Sequence, residues 1–364
     1  MHYYKLNEEV LRQYCSAVFV RRGFSGSESA DIVDVLLAAD LYGIESHGVQ
    51  RMIRYHQAIE EGSIVPGAKE TIIFESPISM VIDAHRSMGQ TIAKKSMNLA
   101  ITKAQKSGLG VVVVRRSNHF GIAGYYTSMA ANADMLGLCM TNTEAITVPT
   151  FGKKAMLGTN PIAVCMPADP IDFWYDASTS VVTRGKLEVF KKNNQLLPNG
   201  WAADENGYDC ADAQHVLDNI IGKQGGGIFP LGGSLEVTGS HKGYGLGIVV
   251  ELFSAIFSGG NTSPHVTNSG NADTSFCLWA IDYGIFGDKK IIKQRISDLL
   301  QELRDSPKAD GYSRIYTPGE KESESKTEKL KDGIPVSEKT LAELRQIGEK
   351  LKLDFNSYSW SRKG

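Results

Sequence analysis

Apolar positions recur every three or four residues at the start of the chain, and cluster in short runs through its middle. Val10, Tyr14 and Val18, with Gly23 just beyond, predict a helix over 7–22 that ends on a glycine. Ser25 and Glu28 form a capping-box pair for a second helix, in which Ile32, Val35, Leu36 and Ala39 share one face. Met52, Tyr55 and Ile59 predict a third, with Arg51 and Arg54 near its start, so the first lobe reads as helical to about Ser63. From Glu70 the pattern changes. Residues 71–74 and 80–83 read as strands, 90–106 as a helix, and the four consecutive valines at 111–114 suit a strand buried on both faces.

A helix over 122–135 follows, and 138–141, 162–166, 173–175 and 276–281 are further strand candidates. Helices between several of them predict an α/β protein with a mixed sheet under helical cover. The segment 193–233, with Pro198-Asn199-Gly200 and Gly225-Gly226-Gly227, reads as turns and surface loop. Val250, Phe253, Ile256 and Phe257 mark an apolar helix. Lys, Glu and Ser dominate 319–332, which reads as a solvated, mobile stretch. Leu341, Leu344, Ile347 and Leu351 make a last amphipathic helix, expected to return to the N-terminal lobe; no internal repeat occurs.

Length and charge narrow the function classes. With 364 residues, two or three lobes are expected rather than one core. A formal net charge of -2 gives no reason to expect nucleic acid or an acidic membrane surface as partner. The cysteines at 15, 139, 165, 210 and 277 show no Cys-x-x-Cys spacing, which argues against a zinc site or disulfide framework and for a reducing compartment. The first residues lack the apolar core of a signal peptide and no run of about 18 apolar residues occurs, so a soluble cytoplasmic protein is expected.

Candidate chemistry concentrates at two places. The valine strand runs into Arg115-Arg116-Ser117-Asn118-His119 just before a helix, which places this cluster at the carboxyl edge of a sheet, where open α/β folds bind ligands. His47 lies in a similar setting between Ser46 and Gly48. An imidazole near its neutral pKa is a natural partner for the proton of a C–OH group. His2, His56, His85, His215 and His265 sit in contexts that need only surface or structural roles, and no histidine has metal-ligand spacing. Arg51, Arg54, Arg115 and Arg116 offer guanidinium forks for a carboxylate, with plain surface arginines as the alternative for each.

Gly243-x-Gly245-x-Gly247 lacks the third glycine of a dinucleotide fingerprint, since Ile248 stands there, and no P-loop motif exists. Lys242 beside these glycines suits a cofactor phosphate, with close helix packing as the equal alternative. A serine hydrolase built on Ser46 or Ser117 lacks the Gly-x-Ser-x-Gly elbow.

Several blocks together resemble the malate/L-lactate dehydrogenase family of the non-Rossmann type, which includes sulfolactate, ureidoglycolate and diketogulonate enzymes and cyclic imino-acid reductases. They are Asp40-Leu-Tyr-Gly-Ile-Glu-Ser-His-Gly-Val-Gln-Arg51, Ser117-Asn-His-Phe-Gly-Ile-Ala-Gly-Tyr-Tyr126, Gly158-Thr-Asn-Pro-Ile-Ala163, Tyr175-Asp-Ala-Ser-Thr179, Arg184-Gly-Lys186, His241-Lys-Gly-Tyr-Gly-Leu246 and Pro318-Gly-Glu320. The resemblance implies a homodimer that moves a hydride between NAD, or alternatively NADP, and a 2-hydroxy acid. Malate to oxaloacetate is the first expectation; L-lactate, sulfolactate, ureidoglycolate or a cyclic imino acid are the alternatives, and a catalytically silent binding protein is the rival of another class. It also implies a non-Rossmann cofactor domain over 70–310, with 1–69 and 311–364 forming a helical domain.

By the same resemblance His47 and His119 are the catalytic pair, with His119 favoured as acceptor of the hydroxyl proton. Ser46 and Arg51 would orient the substrate. Thr143 and Asn160 would approach the nicotinamide, while Asp176, Ala177 and Ser178 match a cofactor-binding turn. Lys242 with Gly243, and Gly319, Glu320 and Lys321, match further cofactor contacts, to which Arg295 is added. No metal is implied.

Overall fold

The sheet that carries the functional loops owes its layout to one crossover and one late insertion. In the computed structural model, which describes residues 2–267, 273–358 and 360, the chain begins with β1 (Tyr3–Leu6), α1 (Glu8–Arg21) and α2 (Gly26–Leu41). Two single-turn 3-10 helices, Glu45–His47 and Val49–Arg51, lead into α3 (Met52–Glu60). Then come β2 (Thr71–Glu75), β3 (Ser79–Asp83), α4 (Gly89–Ser107), β4 (Leu109–Ser117), α5 (Ala123–Asn132), β5 (Leu136–Thr141), β6 (Ile162–Met166) and β7 (Phe173–Ala177). The remainder is α6 (Arg184–Lys192), β8 (Ala202–Ala203), α7 (Ala213–Gly222), β9 (Gly227–Ile228), α8 (Ser240–Glu251), β10 (Thr274–Ile281), α9 (Lys289–Asp305), α10 (Glu320–Asp332), β11 (Ile334–Ser337) and α11 (Glu338–Lys350).

Among the described residues the main sheet has seven strands in the order β2-β3-β4-β10-β5-β6-β7. Only β3 and β4 run parallel. A parallel pair needs a crossover, and α4 supplies it, lying so close to β4 that a Cβ on Gly110 would stand 1.9 Å from the carbonyl oxygen of Ala100. β4 is sealed on both faces as its valines predict: Val112 and Val114 are fully buried, and Val113 nearly so. β10 inserts between β4 and β5 from far along the chain, and Phe276 on it stacks on Phe120 at 5.0 Å. That contact fixes the turn after β4, where the candidate residues lie.

A second core joins the two ends of the chain. Leu11, Tyr14, Phe19, Ile32 and Leu36 pack with Ile334, Val336, Leu344, Ile347 and Phe355. β1 pairs antiparallel with β11, and the Tyr14 hydroxyl donates to the Leu344 carbonyl at 2.6 Å. The last amphipathic helix therefore does return to the N-terminal helices. The capping box at Ser25 and Glu28 forms with both of its hydrogen bonds.

Three expectations change. β1 carries no clear signal in the sequence, because its tyrosines are exposed and lack a clear alternation. The segment 193–233 is more than surface loop: α7, capped by the Asp212 side chain, buries Val216, Leu217 and Ile220 against Leu187 and Ile228. Flanking glycines hid that helical spacing. The charged stretch after Gly319 is likewise not a mobile tail, for it forms α10 against α2. Ser325 donates to the Leu41 carbonyl at 2.9 Å, Lys329 to the Asp40 carbonyl at 2.8 Å, and Glu320 is buried between Arg304 and Arg314.

Candidate active site

A cavity of about 630 Å³ lies between the helical lobe and the edge of the sheet that β4 and β7 end on. Ser46, His47, Arg51 and Arg54 line it from the helical side, His119 from the turn after β4, and Asp176, Ala177 and Ser178 from the end of β7. The start of α6 closes another wall.

The turn that carries His47 is built around Asp40, a buried carboxylate at the end of α2. Its Oδ2 accepts the Val49 N–H at 2.8 Å. Only glycine fits at position 48, since a Cβ there would lie 1.8 Å from Asp40 Oδ1. Burial pushes the Asp40 pKa up to about 7 against the pull of that N–H. Within the turn, the Ser46 hydroxyl lies 2.8 Å from His47 Nδ1, and Arg51 Nε donates to the Ser46 carbonyl at 2.5 Å. The carboxylate-binding candidate and the imidazole thus share one scaffold.

His119 is held from the other side. Asn118, also buried, places Nδ2 within 3.1 Å of the carbonyls of Ser63, Arg86 and Ser87, which pegs the turn after β4. His119 Nδ1 meets the Tyr55 hydroxyl at 2.6 Å. The two imidazoles, far apart in sequence, come to 5.3 Å between ring centroids with 27° between their planes.

Electrostatics keeps both rings neutral. Burial first, and then the charges of Arg51 and Arg54, lower the His47 pKa to about 3. Burial, then Arg54, His47 and Arg51, holds His119 well below the ordinary histidine value. A neutral imidazole beside guanidinium groups can exchange a proton once a bound anion offsets their charge.

The far end of the cavity is polar. Asp176 accepts the Gly124 N–H at 2.8 Å at the start of α5, and burial raises its pKa to about 6. Thr143 lines the cavity, whereas Asn160 lies fully buried behind it: its Oδ1 accepts the Thr143 N–H at 3.2 Å, and its Nδ2 donates to Glu251 at 2.9 Å. Asn160 therefore holds Thr143 in place. The N-terminus of α6 has no side-chain cap and presents Thr183, Arg184 and Gly185 to the cavity. Hydroxyls, free helix N–H groups and a guanidinium form a donor set that fits an anionic, hydroxyl-rich dinucleotide.

Besides Asn160, eight candidates from the sequence lie outside this lining. Gly243 packs tightly on Leu231, where a Cβ would stand 2.3 Å from its carbonyl oxygen, and Lys242 is exposed. Arg295 is exposed on α9. At Gly319 the backbone φ is +102°, Glu320 accepts from Arg304 at 3.0 Å and Arg314 at 2.8 Å, and Lys321 sits over the Tyr316 ring. Arg115 and Arg116 pair with Asp83 instead of facing the cavity. In the sequence Tyr55 has only a helix position, and nothing marks Gln90 or Glu188; a tyrosine one turn beyond Arg51 is the available signal for the first.

A family model described as malate/L-lactate dehydrogenase matches residues 6–345. The chain belongs to the malate/L-lactate dehydrogenase family. Among curated relatives, a malate dehydrogenase of Pyrococcus abyssi is 39% identical over 352 residues, covering 96% of each chain. An L-sulfolactate dehydrogenase of Methanocaldococcus jannaschii is 37% identical, covering 94% of this chain and 95% of that one. The crystal structure of malate dehydrogenase from Entamoeba histolytica superposes with a TM-score of 0.94 at 34% identity, covering 97% of this chain and 99% of the other. The protein is thus a nicotinamide-dependent dehydrogenase of the 2-hydroxy-acid class.

Proposed function

We propose that the protein interconverts malate and oxaloacetate with NAD, and that His47, His119, Ser46 and Arg51 form the reacting end of the cavity. The observation that carries this reading is the convergence of two neutral imidazoles, 5.3 Å apart, with Arg51 on one cavity wall. Arg51 anchors the C1 carboxylate and Ser46 holds His47, so the C2 hydroxyl lies where an imidazole can take its proton. The bound nicotinamide supplies the hydride acceptor. Thr143, Asp176, Ala177 and Ser178 hold the cofactor, with Asn160 setting Thr143. Glu61, Glu144, Asp176 and Glu188 in the lining disfavour the added phosphate of NADP.

A substrate with a second anionic group is favoured by the guanidinium count. Arg54 lines the cavity as Arg51 does, so a second guanidinium stands on the same wall as the one assigned to the C1 carboxylate. A sulfonate can take the same place, so sulfolactate is the second reading. Absorbance of reduced cofactor, followed with oxaloacetate, sulfopyruvate, pyruvate and a cyclic imine, and with both cofactors, decides between them. The proposal expects oxaloacetate with NADH to give the highest kcat/KM; pyruvate above oxaloacetate would contradict it, and no turnover despite cofactor binding would favour a silent binding protein.

The working unit we propose is a cytoplasmic homodimer. All five cysteines are free, as a reducing compartment allows. No helix among the described residues is long and apolar enough to cross a membrane. Leu246 and Ile248 on α8, Leu252 and Ile256 on the π-helical turn Leu252–Ile256 that continues it, and Phe257 just after are each 40–55% exposed, apolar surface that a second copy would cover. Analytical ultracentrifugation at micromolar concentration should show twice the 39.7 kDa chain mass, and Leu252→Lys with Ile256→Lys should shift it toward the monomer. A 39.7 kDa species for the unaltered protein would contradict the dimer.

A further inference from the structure

We infer that Tyr55 and Gln90 are positioning residues that fix the tautomer of His119, with Nδ1 as acceptor and the proton on Nε2, and that His47 therefore takes the proton of the substrate hydroxyl. This division of labour rests on the dehydrogenase reading above, and it reverses the assignment that the sequence favours.

A chain of hydrogen-bond donors leads to His119. Gln90, in the first turn of α4, and Tyr55, on α3, are both buried. The Gln90 amide Nε2 donates to the Tyr55 hydroxyl oxygen at 2.9 Å. A phenol has one proton to give, and with Gln90 donating to its oxygen, Tyr55 directs that proton to His119 Nδ1 at 2.6 Å. The Gly121 N–H, which can only donate, also approaches the same Nδ1, at 3.4 Å. The Gly121 φ is +83°, and a Cβ there would stand 2.5 Å from Val35, so only glycine fits this turn. Two donors on Nδ1 leave no place for a proton on it. Since burial among cations keeps the ring neutral, its one N–H is on Nε2.

Turning the Gln90 amide over would reverse every donor in this chain. Its Oε1, buried and without a partner in the orientation found, would then accept from Tyr55, and the Gly121 N–H would face a protonated Nδ1. The Gly121 N–H, a backbone donor that cannot be turned over, thus fixes the direction of the chain, and Gln90 and Tyr55 follow it.

The chemical consequence separates the two histidines. In the Nε2–H tautomer, neutral His119 donates a hydrogen bond to the substrate oxygen and stabilises charge that develops there, but it has no lone pair on Nε2 with which to accept a proton. His47 is placed differently. The Ser46 hydroxyl, 2.8 Å from its Nδ1, can accept an Nδ1–H, which leaves the Nε2 lone pair for the substrate. During oxidation the substrate O–H bond breaks, the C=O bond forms, the C2 hydrogen leaves with its electron pair to the oxidised nicotinamide, and the hydroxyl proton ends on Nε2 of His47. Reduction returns that proton from His47 to the carbonyl oxygen.

Nitrogen NMR of the full-length protein carrying 15N-histidine tests this without turnover. The wild-type protein should show His119 with a pyrrole-like Nε2 and a pyridine-like Nδ1, assigned by its loss in His119→Gln. Tyr55→Phe and Gln90→Leu should each produce a mixture of tautomers and lower kcat about 10-fold or more, with cofactor affinity unchanged. His119→Gln, which keeps an N–H donor, should retain more activity than His47→Gln, which keeps no base. A proton on Nδ1 in the wild-type spectrum, or a Tyr55→Phe spectrum identical to wild type, would overturn the inference. If the variants do not fold, the wild-type spectrum decides alone. Absence of turnover with every 2-oxo acid would instead overturn the dehydrogenase reading and leave the tautomer result standing.

Discussion

His47→Gln is expected to lower kcat at least about 100-fold in both directions, the scale of losing a general acid/base. Glutamine approximates the size of the ring and keeps a donor near Ser46, so the loss reports the missing proton acceptor rather than a collapsed turn. Asp40 and Gly48 hold that turn without help from the imidazole. The pH profile adds a second reading. The His47 pKa is lowered to about 3 by burial and then by Arg51 and Arg54, so its base form persists far below neutrality. Because kcat/KM follows the free enzyme, oxidation should show no acid limb from His47 between about pH 5 and 8. An ordinary solvent-exposed histidine would instead lose the base form below about pH 6.5. A clear limb near that value, absent from His47→Gln, would mean that His47 is far more solvated than its setting indicates.

The second large effect belongs to Arg51. Removing it by Arg51→Ala should raise KM for the 2-oxo acid about 100-fold, the upper range for a charge-assisted contact of roughly 3 kcal/mol. Cofactor affinity should stay near wild type, because Arg51 lines the wall beside His47 rather than the Asp176–Ser178 end. Arg51→Lys restores the charge but neither the fork nor the Nε donor that holds the Ser46 carbonyl, so it should recover only part of the loss. An unchanged KM in Arg51→Ala would place the substrate carboxylate elsewhere, with Arg54 and Arg184 as the remaining guanidinium groups on the same cavity.

Much of this site was legible in the sequence because its residues sit on rigid, strongly patterned elements. The valine run at 111–114 announced a doubly buried strand, and the polar cluster at its end does lie where the sheet meets the cavity. Within that cluster, sequence could not separate His119, which faces the cavity, from Arg115 and Arg116, which are tied down by Asp83 from a neighbouring strand. That pairing depends on the β3–β4 register, which no local pattern reveals. The Asp40 carboxylate meets Gly48 across eight positions of sequence, so the reason for glycine there appears only in three dimensions. Gln90 and Tyr55 were hidden more deeply, since each looks like an ordinary helix residue until α3 and α4 meet beside His119.

Glu320 shows the opposite limit. Its motif matched a cofactor contact, yet the carboxylate is consumed by Arg304, Arg314 and Thr317 inside the protein. The charged composition around it concealed α10, because the cations it pairs with at Arg304 and Arg314 precede it in the chain and lie outside the helix.

The most direct test is the initial rate of NADH consumption with oxaloacetate, measured side by side for the wild-type protein and for one carrying both His47→Gln and His119→Gln. Steady consumption by the first, with the second at background though it still binds NADH, is the predicted outcome. Equal rates from the two proteins would contradict a reaction centred on these imidazoles.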